Sequence, residues 1–104
     1  MGKYVIVTTL CNREDIANKI VNTLLEKKLA AGSQITKVNS KYWWNEELEK
    51  CDEYKLEFRT KEDLFNEIET EIKRIHDYEV PEISCYEIKN ASKEFFNWID
   101  ENVK

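Results

Sequence analysis

The sequence predicts one α+β domain, a split β-α-β sandwich with an additional helix at its C-terminal end. Three observations carry that expectation. β-branched and aromatic runs at 3–10, 34–44 and 54–58 are interleaved with apolar stripes of helical spacing at 16–24 and 64–75. The resulting order, β-α-β-β-α-β-α, contains two consecutive β-α-β units. A length of 104 residues suits one hydrophobic core and is too short for two, so residues 1–104 are read as a single domain.

The first strand spans residues 3 to 10, where Tyr4, Val5, Ile6, Val7, Thr8 and Thr9 form an unbroken run suited to burial. Asn12 is the expected N-cap of the first helix, with Asp15 in the reciprocal position. Ile16, Ala17, Ile20, Val21 and Leu24 make its inner face, and its end is expected around Leu29 to Ala31, before Gly32. A long second strand runs from Gln34 to about Trp44, with a bend near Asn39 and Ser40. Its antiparallel neighbour shows period-two alternation, Tyr54, Leu56 and Phe58 against Glu53, Lys55, Glu57 and Arg59.

Between these strands, 46–53 reads as an acidic hairpin tip, a solvated feature whose charges discourage edge pairing. Thr60 is placed as the cap of a second helix with Leu64, Phe65, Ile68, Ile72 and Ile75 on one stripe, closed by His76. Pro81, the only proline, prevents continuation. A short strand at 83–88 follows, and Ser92 caps a last helix carrying Phe95, Phe96, Ile99 and Val103, with Trp98 at its edge. This is the ferredoxin-like plan: an antiparallel sheet with two helices on one face. Tyr42, Trp43, Trp44 and Trp98 exceed what so small a core needs, so they are read as an interface between copies of the chain.

Composition narrows the function classes. Sixteen Lys and Arg against 21 Asp and Glu leave a formal charge of -5, which disfavours nucleic acid and anionic membranes and favours cations. Cys11, Cys51 and Cys85 are odd in number and widely spaced, so neither a disulfide framework nor a paired-thiol zinc motif is expected, and a reducing, cytoplasmic location is. No stretch has the length of a membrane span or a signal core. Glycine-rich phosphate loops, a frame of catalytic carboxylates and a basic aromatic surface are all missing from the pattern, so an enzyme is not expected.

Four segments in order, Leu29-Ala30-Ala31, Tyr42-Trp43-Trp44, Lys55 to Thr60, and above all His76-Asp77-Tyr78-Glu79-Val80-Pro81-Glu82-Ile83, resemble the CutA-like divalent-cation tolerance proteins. The resemblance runs from about Tyr4 to the last helix, and the His-x-Tyr-x-x-Pro-Glu stretch is its most specific part. It implies a non-enzymatic, PII-like homotrimer that takes part in the response to metal ions and binds copper or another divalent cation not required for folding. It also implies metal ligands at His76 and Glu82 and at a cysteine on the first strand. That cysteine's position falls here on Thr9, and Cys11 lies two residues further on. Gly32 stands where the family has a cysteine after Ala-Ala, and Trp44-Asn45-Glu46-Glu47-Leu48 lacks the usual glycine.

His76, Glu82 and Cys11 are therefore the candidate metal ligands, an incomplete set that a second copy of the chain could supplement. The alternative for His76 is a helix-terminal cap. Tyr78 is expected to anchor its turn through a buried ring and a bonded hydroxyl. In a competing reading, Tyr42, Trp44, Tyr78 and Trp98 line a cleft or interface of a PII-like small-molecule sensor or trimeric scaffold. A third reading, a thiol hydrolase, needs Cys11, activated by the helix N-terminus, to meet His76. Cys85 is expected in packing and Cys51 exposed on the hairpin.

Overall fold

The structure is a computed structural model that describes residues 3–104. Strand β1 (Tyr4–Cys11), helix α1 (Glu14–Glu26), strands β2 (Gly32–Trp44) and β3 (Glu47–Lys61), helix α2 (Phe65–Ile75), strand β4 (Ile83–Glu87) and helix α3 (Lys93–Asn102) follow in that order. The sheet is ordered β2-β3-β1-β4 and every pairing is antiparallel, the arrangement expected of the ferredoxin-like plan.

Directly paired residues share a face, and the registers sort the side chains into two layers. Val5, Val7 and Cys11 pair with Thr60, Phe58 and Tyr54, and their face packs on α1 and α2 through Ala17, Ile20, Leu24, Ile68, Ile72 and Ile75. The opposite face is not bare. Helix α3 crosses its lower end: Phe96 stacks on Tyr4 with ring centroids 4.2 Å apart, and Asp100 accepts from the Tyr4 hydroxyl at 2.7 Å and pairs with Lys61 at 2.7 Å. Gly32 lies directly under Trp98; a Cβ there would sit 2.8 Å from the indole, which is why this strand opens on glycine.

Several local expectations are corrected. Arg13, not Asn12, occupies the cap of α1, and its guanidinium pairs with Asp15 instead of capping the backbone. The helix stops at Glu26, short of Leu29 to Ala31, in a Schellman turn: Leu29 N–H bonds to Leu24 O at 2.9 Å and Lys28 N–H to Leu25 O at 3.1 Å. Lys28 carries the left-handed φ of 59° that glycine usually adopts there. Thr60 caps nothing. It ends inside β3, and its buried hydroxyl donates to Leu29 O at 2.6 Å, while α2 is entered through a 3-10 turn at Glu62–Leu64. Ser92 does cap α3, its oxygen accepting from Phe95 N–H at 3.2 Å.

The acidic tip is a strand. β2 and β3 pair without a break from Gly32↔Arg59 to Trp44↔Glu47, through Asn39 and Ser40, and turn only at Asn45 and Glu46, with φ of 52° and 65°. Both central residues in the left-handed region define a type I′ hairpin, whose twist matches the strands. Because β1 ends opposite Tyr54, the segments 38–44 and 47–53 form a two-stranded ribbon beyond the helices, and the molecule is 44 Å long against 26 and 21 Å. Trp43 is 73% exposed there and Trp44 38%. Cys85, expected in packing, is exposed, and Cys51 is half-buried on the ribbon.

Candidate functional site

The His-x-Tyr-x-x-Pro-Glu segment is the turn between α2 and β4. His76 terminates α2, its backbone N–H bonding to Ile72 O at 2.8 Å, and its ring turns inward until the side chain is fully buried. Nε2 lies 2.6 Å from Leu10 O, and Nδ1 lies 3.1 Å from Tyr78 N. A carbonyl only accepts and an amide N–H only donates, so the imidazole is neutral with its proton on Nε2. It ties β1 to the turn, and both ring nitrogens are engaged in doing so.

Tyr78 extends the tie. Its ring lies 4.6 Å from the His76 ring, and its hydroxyl donates to Glu53 Oε2 at 2.6 Å. The phenol is pushed far up from its ordinary range, first by burial and then by this carboxylate. Glu53 is 6% exposed, and among the described residues no Lys or Arg pairs with it. Tyr42, on the same face of the ribbon, is also raised, by burial and then by Cys51, Glu53 and Glu49. Between ribbon and turn opens a groove of about 780 Å³ lined by Tyr42, Trp44, Glu53, Tyr78, Glu79 and Glu82, among others.

The three candidate metal ligands are not gathered. Cys11 is the last residue of β1; its thiol is buried, donates to Arg13 O at 3.6 Å and is raised by burial, so the helix N-terminus does not activate it. His76 has no hydrogen bond to it, its nitrogens being directed to Leu10 and Tyr78. Glu82 is exposed and accepts from the Ser84 hydroxyl at 3.0 Å. Among the described residues no group of three or more His, Cys, Asp and Glu side chains converges on a point that could hold a metal ion. Trp98, grouped with the cleft by its aromatic character, lies on α3 over Gly32, and the groove is lined without it.

The residue that sequence reasoning missed is Glu53. Period-two alternation puts it on the face away from α1 and α2, where an acid reads as solvated. Its hydrogen-bond partner Tyr78 is 25 positions away along the chain, and no local pattern announces that contact. Thr9, onto which the sequence resemblance carries its implied strand cysteine, is fully buried with its hydroxyl unpartnered.

Sheet order, the third helix on the second face and the tied turn define a class: a ferredoxin-like α+β protein with a projecting β-ribbon. Within that class the chain belongs to the CutA1 divalent ion tolerance protein family, whose family model matches residues 5–102. The divalent-cation tolerance protein CutA of Archaeoglobus fulgidus is 36% identical over 104 residues, covering the whole of both chains. A solved structure of the periplasmic divalent cation tolerance protein CutA from that organism superimposes with a TM-score of 0.94 at 34% identity, over 97% of this chain and 99% of that one. CutA1 of Pyrococcus horikoshii superimposes with a TM-score of 0.90 at 30% identity, over 96% and 98% of the two chains.

Proposed function

We propose that the protein serves divalent-cation tolerance as a non-catalytic cytoplasmic homotrimer that binds copper or a similar divalent ion between its subunits. The exposed aromatic ribbon carries this reading. A two-stranded ribbon is marginal in water by itself, and burying Trp43 and Leu48, a directly paired couple on one face of it, against other copies supplies the missing apolar contact. Formal charge of -5 favours a cationic ligand, and three free cysteines suit a reducing compartment. Glu82 is the accessible donor for an ion shared between copies, whereas His76 joins it only by releasing Leu10 or Tyr78 and Cys11 only by leaving the core. Titration calorimetry with copper and zinc on wild type, Glu82→Gln and His76→Ala tests the ligands. Affinity lost in Glu82→Gln supports the reading; no binding, or binding untouched by either change, removes these residues. Light scattering should give three times the monomer mass, and a stable monomer refutes the assembly.

The groove favours a second reading, a PII-like sensor or scaffold. Its volume and its mixture of aromatic and polar walls suit a small molecule.

A further inference from the structure

The wall chemistry of the groove identifies the class of molecule it suits. Resting on the small-molecule reading, we propose that it binds a small organic ammonium ion, of the size of a choline or short amine headgroup, between the aromatic ribbon and the Glu53 carboxylate.

Three observations converge on this. Aromatic rings of Tyr42, Trp44 and Tyr78 line the groove, and the faces of such rings carry negative potential that attracts cations. Glu53, Glu79 and Glu82 line it as well, against Lys41 as the one basic side chain among the described lining residues, so an anionic ligand meets repulsion. Most telling is Glu53. It is 6% exposed and has no cationic partner among the described residues, and of its two oxygens only Oε2 is engaged, by the Tyr78 hydroxyl. A bound ammonium completes that pairing. A bare metal ion suits the groove less, because it needs several donors converging on one point and these carboxylates do not converge. An organic cation instead spreads its charge over rings and carboxylate at van der Waals distance, which a groove of about 780 Å³ accommodates.

The probe pair is choline and 3,3-dimethylbutanol, its uncharged isostere, titrated into the protein as it assembles in solution and followed by tryptophan fluorescence and calorimetry. Saturable choline binding at least about tenfold tighter than that of the alcohol is expected. Glu53→Gln, which keeps an acceptor for the Tyr78 hydroxyl and removes only the charge, should weaken choline about tenfold and leave the alcohol unchanged. Trp44→Leu should weaken choline similarly, with circular dichroism confirming the fold of both variants. Equal affinity for choline and the alcohol overturns the ammonium assignment while the small-molecule groove stands. Absence of saturable binding by either probe overturns both, and choline binding unchanged in Glu53→Gln overturns the placement of the ion.

Discussion

Replacing His76 with Ala separates a clamp from a ligand, because the two roles predict opposite readouts. The ring is fully buried and makes two hydrogen bonds, so the truncation strands Leu10 O and Tyr78 N–H and leaves a void the size of an imidazole. A stranded buried donor or acceptor costs about 1–3 kcal/mol, less if water enters the void. Combined with the lost packing against Tyr78, the expected destabilisation is about 3–5 kcal/mol, a large fraction of the total stability of a small domain. Urea unfolding at fixed protein concentration in the presence of a chelator, followed by circular dichroism, measures this without a metal contribution. The two halves of the clamp separate: His76→Gln retains a donor for Leu10 O, and His76→Asn retains an acceptor for Tyr78 N–H. Each should recover part of the loss. A His76→Ala variant within about 0.5 kcal/mol of wild type in chelator would refute the clamp.

Three further outcomes follow from local geometry. Thr9→Val replaces a buried, unpartnered hydroxyl by a methyl of similar volume and should raise stability by about 1 kcal/mol in the same urea assay, against the usual direction of core mutations. Lys28→Gly at the left-handed end of α1 should stabilise by up to about 1 kcal/mol, seen as a rise in thermal midpoint. Asp100 is held below the ordinary carboxylate range by Lys61 and then by the Tyr4 hydroxyl. Its folded-state pKa is depressed, so its contribution is complete above the unfolded value of about 4 and is lost as pH falls through the folded one. Thermal melts should show a loss between neutral and acid pH that is smaller in Asp100→Asn; an identical loss in that variant would refute the α3 anchor.

Regular elements were legible because their signals are local. The stripe of Ile68, Ile72 and Ile75 and the alternation of Leu56 and Phe58 report burial directly, and all five are core residues. Ser92 caps its helix as read, since a cap needs only its own next turn. Thr60 failed for the complementary reason: a Thr before a helical stripe looks like a cap, yet a tertiary acceptor, Leu29 O, took its hydroxyl. The acidic segment at 46–53 reads as a solvated hairpin tip because charged residues are depleted in strands, and cross-strand pairing of 47–53 with β2 overrides that preference. In the candidate site, Tyr78 was read correctly as a bonded anchor, while its partner Glu53 was hidden by distance along the chain.

That hidden pair changes what the most recognisable motif in the sequence accomplishes. His76 and Tyr78 form a chain of contacts from Leu10 on β1, through the imidazole and the Tyr78 backbone, to Glu53 on β3. Both ring nitrogens of His76 and the backbone N–H and hydroxyl of Tyr78 are engaged by protein, so the motif fixes where the 76–82 turn stands relative to the ribbon. Glu79 and Glu82, exposed on the same turn, are thereby held at the groove without being used in holding it. Within the motif, His76 only positions, Tyr78 both positions and faces the groove, and Glu79 and Glu82 only face the groove. Substituting the positioning members should lower stability first and ligand affinity second, whereas neutralising Glu82 should lower affinity at unchanged stability, a split that paired unfolding and titration measurements resolve.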